Sequence, residues 1–206
     1  ARIFKIDVGE TPNDTNADEV WGEVNMGDPL TLFRFINYTV RNYPAERYAL
    51  VLWDHGGGYY GACWDEDSGY DSLSIAEIRQ ALADAYNQLG IKIDILGFDA
   101  CLMGDIEVAY ALRDLVDIVV FSQEYEPGDG WPYDSILSAL TANPTMSPSS
   151  LATTIVNEYI QYYDNILYGD DNATMSAVNV THVVKYAFAA INRVAGYLLR
   201  YYDSFS

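Results

Sequence analysis

Three short, almost continuous apolar runs alternate with amphipathic segments, and this alternation strongly narrows the folds that are open to the chain. The runs cover residues 48–53, 91–98 and 116–121. Each has the length of a strand that is covered on both faces, and the segments between them carry apolar residues at helical spacing. The order strand, helix, strand, helix, strand predicts an α/β sandwich with a mainly parallel sheet.

Local start and stop signals place the other elements. Asp28-Pro29 supplies a capping residue and a proline at the first helical position, and Ser74 with Glu77 forms a capping box for a helix that Gly90 ends. The patterns predict a strand over 2–8, loops over 9–26 and 54–73, a helix over about 104–113, three helices after residue 127, and an edge strand over 174–180.

The composition excludes some classes of function. The chain has 206 residues, which fits one domain over 1–206, and no apolar run is long enough to cross a membrane. The chain has 11 basic and 30 acidic residues. The resulting net charge of −19 would repel nucleic acid phosphates. Such a surface suits cationic ligands, calcium or basic peptides.

Two polar segments follow directly on neighbouring apolar runs. His55 is followed by three glycines, and Cys101 comes after the run that ends at Phe98. If the two strands lie side by side, the imidazole and the thiol face each other where ligands bind in open parallel sheets. The imidazole can then take the proton of the thiol, and the amides of Gly56 and of Cys101, the latter at the start of a helix, can form an oxyanion hole.

The motifs around these two residues resemble those of the clostripain family of cysteine peptidases, which belongs to the group with the caspase-like fold. The matching segments are W-D-H-G-G-G at 53–58, D-A-C-L-M-G at 99–104, G-E-V-N-M-G-D-P at 22–29, Y-P-A at 43–45 and G-D-G-W at 128–131. The resemblance implies a caspase-like three-layer α/β/α sandwich in which His55 is the catalytic histidine and Cys101 the nucleophile. It also implies that no organic cofactor is needed.

The same resemblance implies a substrate preference. Asp99 and Asp129 match positions whose acidic residues select arginine or lysine before the cut bond, and carboxylates pair well with such side chains. Gln123 and Tyr125 would hold the substrate backbone as an added strand. A different specificity is expected if Asp99 points into the core.

The resemblance also implies partners and a location. Relatives usually begin with a further strand before the region seen here, which could belong to a second, cleaved chain or be missing because the sequence is truncated. Relatives are commonly exported by bacteria, so an extracellular or cell-envelope location is expected. The substrate is expected to be a protein or peptide with basic residues.

Other readings of single residues stay open. Cys63 is a rival nucleophile but lies in no strand-to-helix turn, so packing is the preferred interpretation, and His182 is expected at the surface. The acidic run 65–71 invites a calcium site, although its spacing does not match an EF-hand. The alternative function is therefore a non-catalytic module on the same fold that binds calcium or basic peptides.

Overall fold

The computed structural model describes residues 1–166 and 173–202. It contains eight strands and six α-helices in those ranges: β1 Arg2–Ile3, β2 Glu19–Val20, α1 Pro29–Asn42, β3 Ala49–Trp53, β4 Ala62–Asp65, β5 Asp71–Leu73, α2 Ile75–Leu89, β6 Ile93–Asp99, α3 Ile106–Leu112, β7 Val116–Phe121, α4 Tyr133–Ala142, α5 Pro148–Ile166, β8 Ser176–Asn179 and α6 Val183–Tyr201. None of these helices is long and apolar enough to span a membrane.

The central sheet has four strands in the order β3-β6-β7-β8. The first three run parallel, and β8 pairs antiparallel with β7 at one edge. The predicted mainly parallel sheet and the edge position of the last strand are confirmed. At the other edge, β3 pairs with no second strand among the residues that the structure describes. The expected additional strand stays a prediction.

Both faces of this sheet are covered by helices, which makes three layers. Alternate strand residues belong to different cores, since Leu96 and Val119 pack with α1, α2 and α3, whereas Ile95 and Ile118 pack with α4 and α5. The two-residue period of a strand explains this division. The apolar runs are continuous because each face of the strand meets its own layer of helices.

The predicted capping signals are present. Asp28 accepts a hydrogen bond from the Leu30 amide at 2.8 Å at the start of α1. Ser74 and Glu77 make both bonds of the capping box at the start of α2. Gly90 ends that helix with φ of 70°, a conformation that glycine adopts without steric cost.

Three boundaries differ from the sequence prediction. The first strand is only Arg2–Ile3, because Ile3 alone between residues 2 and 8 is buried and only the short β2 pairs with it. The predicted loop 54–73 contains the antiparallel hairpin β4–β5, which turns through Gly69 and Tyr70, both with positive φ. Helix α3 starts at Ile106 and not near residue 104, so Cys101 lies in a turn before the helix.

Candidate active site

The register between β3 and β6 brings the histidine and cysteine segments together. Trp53 pairs with Asp99 at the carboxyl ends of the two parallel strands. His55 and Cys101 each follow two residues later, so they leave the same edge of the sheet at equivalent positions. The condition set by the sequence analysis, that the two strands lie side by side, is met.

The glycines after His55 allow this close approach. A side chain on Gly56 would collide with the carbonyl oxygen of Cys101, and one on Gly58 would collide with the Asp105 carboxylate. Gly58 also has φ of +62°. The histidine loop therefore packs backbone to backbone on the cysteine turn, which no larger residue would permit at these positions.

The Cys101 thiol is held between backbone groups of residue 126. The Glu126 amide donates to the sulfur at 3.3 Å, and the Glu126 carbonyl lies 3.8 Å from it. The next residue, Leu102, has φ of 64° and its amide donates to the Glu124 carbonyl at 3.1 Å. The turn is thus fixed against the segment that follows β7, with the Glu126 amide directed at the sulfur.

The predicted oxyanion-hole amides are open. Neither the Gly56 amide nor the Cys101 amide donates a hydrogen bond to another residue in the described part of the chain. The Cys101 amide lies in the turn, not at a helix N-terminus as the sequence predicted, because α3 begins five residues later. His55 is exposed, and its ring forms no hydrogen bond within the described residues.

The two aspartates assigned to a basic pocket lie in different environments. Asp99 is 3% exposed, and its Oδ2 accepts hydrogen bonds from the Trp131 amide at 3.2 Å and the Tyr133 hydroxyl at 2.8 Å. Asp129 is exposed in the following loop. Gly130, the residue after Asp129, packs against Asp99, since a Cβ at Gly130 would lie 2.9 Å from Asp99 Oδ2.

A third carboxyl group, that of Glu126, belongs to this cluster and was missed by the sequence analysis. Both of its oxygens are buried and have no close hydrogen-bond partner within the described residues, although they face Asp99, Trp131 and Ala100. Burial first, and then the neighbouring Asp99 carboxylate, raise the pKa of Glu126 to about 9. The sequence showed Glu126 only as an acidic residue before Pro127, in the loop after the third apolar run. That position does not reveal the direction of the side chain.

The segment expected to hold the substrate backbone is partly engaged by the protein itself. The hydroxyl of Thr174 accepts hydrogen bonds from the Gln123 and Glu124 amides, both at 3.1 Å. The Gln123 side chain accepts a hydrogen bond from Ser176 at 3.2 Å. Tyr125 is 70% exposed, and its amide forms no hydrogen bond within the described chain.

The rival cysteine has a different environment. Burial, with a smaller effect of the Asp54 carboxylate, raises the pKa of the Cys63 thiol to about 12. Cys63 packs against the larger core, so the structure supports its interpretation as a packing residue. His182 is exposed at the start of α6, where its ring contacts Tyr186.

The acidic run forms hydrogen bonds within the protein. Asp65 accepts from the Met26 amide at 2.8 Å and the Ser68 amide at 2.9 Å, and these bonds lower its pKa. Asp71 accepts from the Asn25 side chain at 2.5 Å. The described residues contain no group of three or more histidine, cysteine, aspartate or glutamate side chains that could hold a metal ion. They therefore identify no calcium ligands.

The comparisons with known proteins agree on one family. The model of the clostripain family, Peptidase_C11, matches residues 8–204. Clostripain from Hathewaya histolytica is 36% identical over 139 residues, which are 58% of this chain and 26% of that protein. The chain thus spans about a quarter of the length of this curated relative.

Two solved structures share the fold. A secreted C11 cysteine protease from Bacteroides thetaiotaomicron, in complex with an irreversible peptide inhibitor, is 26% identical with a TM-score of 0.68, covering 81% of this chain and 49% of its own. An inactive zymogen C11 protease from Parabacteroides distasonis is 25% identical with a TM-score of 0.62, covering 80% of this chain and 43% of its own.

Proposed function

Because the chain belongs to the clostripain family of cysteine peptidases, we propose that it is an endopeptidase that cuts after arginine or lysine with Cys101 as nucleophile and His55 as base. The observation that carries this proposal is the register of β3 and β6, which pairs Trp53 with Asp99. His55 and Cys101 each follow two residues later and therefore leave the same edge of the sheet. The caspase-like arrangement of layers supports it.

The chemistry follows from these two groups. His55 takes the proton of the Cys101 thiol, and the thiolate attacks the carbonyl carbon of the substrate. The oxyanion that forms accepts hydrogen bonds from the Gly56 and Cys101 amides, which have no other acceptor in the described chain. His55 then gives its proton to the leaving amine, and a water molecule hydrolyses the thioester with His55 again as base.

The preference for arginine or lysine rests on the acidic cluster beside the thiol. Asp99 is buried and its oxygen is fixed by Trp131 and Tyr133, so it presents a carboxylate of defined orientation. Asp129 is exposed at the opening and adds a second negative charge. A guanidinium or ammonium group gains from such charges, whereas a neutral side chain would leave them unpaired.

The location is also a proposal. A relative of known structure is described as a secreted protease from a bacterium. We expect the same extracellular or cell-envelope location here, with protein substrates that carry basic residues. The additional strand, if a second chain supplies it, would pair with the edge of β3 that meets no strand among the described residues.

Hydrolysis of short chromogenic peptides tests the function. Peptides that end in Arg or Lys should be cleaved, those that end in Asp or Asn should not, and Cys101→Ala should abolish all cleavage. Cys63→Ala is the matched control and should keep full activity. Absence of turnover with every peptide would favour the non-catalytic binding module, and turnover that survives Cys101→Ala would exclude the proposed nucleophile.

A further inference from the structure

Glu126 joins the thiol to the acidic cluster. Its backbone amide and carbonyl flank the Cys101 sulfur, while its side chain runs inward to the Asp99 carboxyl group. A substrate residue whose carbonyl is attacked at the sulfur would therefore extend its own side chain alongside that of Glu126. This places the carboxyl group at the distance of one side chain from the reacting atom.

The inner end of this region contains polar atoms without partners. Both oxygens of Glu126, the indole nitrogen of Trp131 and the hydroxyl of Tyr159 are buried and form no close hydrogen bond among the described residues, although the Glu126 carboxyl group faces the Asp99 carboxyl group, the Trp131 indole and the Ala100 backbone. Trp131 and Tyr159 are 3% and 0% exposed. Each unpaired buried polar atom costs about 1–3 kcal/mol. The Glu126 oxygens are acceptors, so a ligand that donates hydrogen bonds can complete their bonding, whereas the Trp131 indole nitrogen is a donor that faces the Glu126 carboxyl group.

The charges around Glu126 favour a cation as that ligand. Asp99 at the end of β6 is its nearest acidic neighbour, and Asp129 lies beyond Gly130. From the helices, Tyr133 of α4 and Tyr159 and Tyr163 of α5 approach as neutral hydroxyls whose pKa values are raised. The Cys101 thiol is a further neighbour of Tyr159 in this region. None of these groups carries a positive charge.

We propose that Glu126 is a specificity-determining residue whose carboxyl group forms the inner end of the pocket for arginine or lysine, and that entry of the cation displaces the proton held there. This deepens the proposed function and rests on it. In the free protein the proton reduces repulsion between Glu126 and Asp99. In the complex the substrate cation takes that place, Glu126 becomes a carboxylate, and the proton goes to solvent.

The raised pKa of Glu126, about 9, agrees with a protonated group near neutral pH. Its causes are burial and the Asp99 charge, and a bound cation would offset the second cause directly. Linkage then requires that a cation binds more tightly as the pH rises toward 9, because less work is needed to remove the proton.

Calorimetric binding of benzamidine, a planar cation, tests the proton displacement without any need for catalysis. Titrations at pH 7.5 in two buffers of different ionisation enthalpy should show close to one proton released for each benzamidine bound. In Glu126→Gln the release should disappear and binding should weaken by about tenfold or more. Glu46→Gln, which alters an exposed side chain before β3 and outside the acidic cluster, should behave as the wild type.

Peptide kinetics separate a role in the pocket from a purely structural one. Glu126→Gln should lower kcat/KM for arginine and lysine peptides by about tenfold or more but leave a citrulline peptide, the neutral analogue of arginine, nearly unchanged. Glu126→Asp keeps an acid one carbon shorter and should restore part of the preference. Equal losses on arginine and citrulline peptides in both variants would overturn the proposal.

The two proposals can fail separately. Cleavage of arginine peptides together with benzamidine binding that releases no proton would leave the peptidase function standing and show that the role of Glu126 is wrong. Proton-linked benzamidine binding without any peptide cleavage would support the pocket and contradict the peptidase function. Neither binding nor cleavage would overturn both.

Discussion

Individual side chains decide what this chain can do, and they differ in how far the sequence reveals them. His55 and Cys101 could be predicted because each follows an apolar run and sits within a distinctive motif. The position of the Glu126 side chain beside Asp99 could not, since its direction depends on the turn that presses its backbone against the Cys101 sulfur. Sequence spacing carries no information about that turn.

The same residue gives a test through pH-dependent stability. The pKa of Glu126 is about 9 in the folded chain and about 4.5 as an ordinary carboxyl group. The folded state therefore keeps a proton that the unfolded state loses, so its contribution to stability is full below pH 4.5 and is lost as the pH rises toward 9. The Tm of Glu126→Gln minus that of the wild type should consequently increase from pH 5 to pH 8.

Thermal unfolding across that pH range measures the difference. A gain of 1 kcal/mol corresponds to a shift in Tm of roughly 2–4 °C for a chain of this size. Glu124→Gln is the control, because its side chain is exposed, and its difference from the wild type should stay constant. A difference for Glu126→Gln that does not change with pH would show that Glu126 titrates as an ordinary carboxyl group.

At the level of elements, the alternation of strands and helices could be predicted and the connections could not. Residues 48–53, 91–98 and 116–121 gave β3, β6 and β7 because each strand is packed between two layers. The hairpin β4–β5 was missed because its seven strand residues are polar as well as apolar and its turn uses Tyr70 at φ of 61°. Loop composition does not predict such a turn.

One hydroxyl group from the approach to β8 makes three of the hydrogen bonds that hold the segment after β7. Thr174 bonds to the Ser122 hydroxyl at 2.9 Å and to the amides of Gln123 and Glu124. Thr174→Val keeps the shape but removes these bonds, so the segment beside Cys101 should loosen. We expect kcat/KM for arginine peptides to fall by about fivefold or more and the free energy of unfolding by about 1–3 kcal/mol.

Steady-state kinetics and urea unfolding of the same samples test this. Thr181→Val is the matched control, because the one hydrogen bond of its hydroxyl among the described residues goes to the exposed Asn179 side chain at 2.9 Å, and it should change neither quantity appreciably. A Thr174→Val protein that is destabilised but cleaves peptides at the wild-type rate would show that this anchor does not position the active-site segment.

The charge of the whole molecule is expected to act on substrate capture. With 30 acidic and 11 basic residues, the net charge of −19 creates a field that attracts basic peptides. Salt screens such attraction beyond about 10 Å at 0.1 M ionic strength. The value of kcat/KM for a cationic arginine peptide should therefore fall by roughly threefold or more between low and high salt.

The matched measurement uses the citrulline analogue of the same peptide, which lacks the charge on the selected side chain. Its kcat/KM should change little over the same range of sodium chloride concentrations. Equal salt dependence for both peptides would indicate that salt acts on the protein itself and that the acidic surface does not steer the substrate.

The central claim is that Cys101, and not Cys63, provides the reactive thiolate. An arginine chloromethyl ketone, in which a thiolate displaces chloride, followed by peptide mapping with mass spectrometry, tests it directly. The account predicts one label on Cys101, slower labelling in His55→Ala, and no label on Cys63, whose pKa near 12 keeps it protonated at pH 8. A label on Cys63, or labelling of Cys101 that is indifferent to His55→Ala, would contradict it.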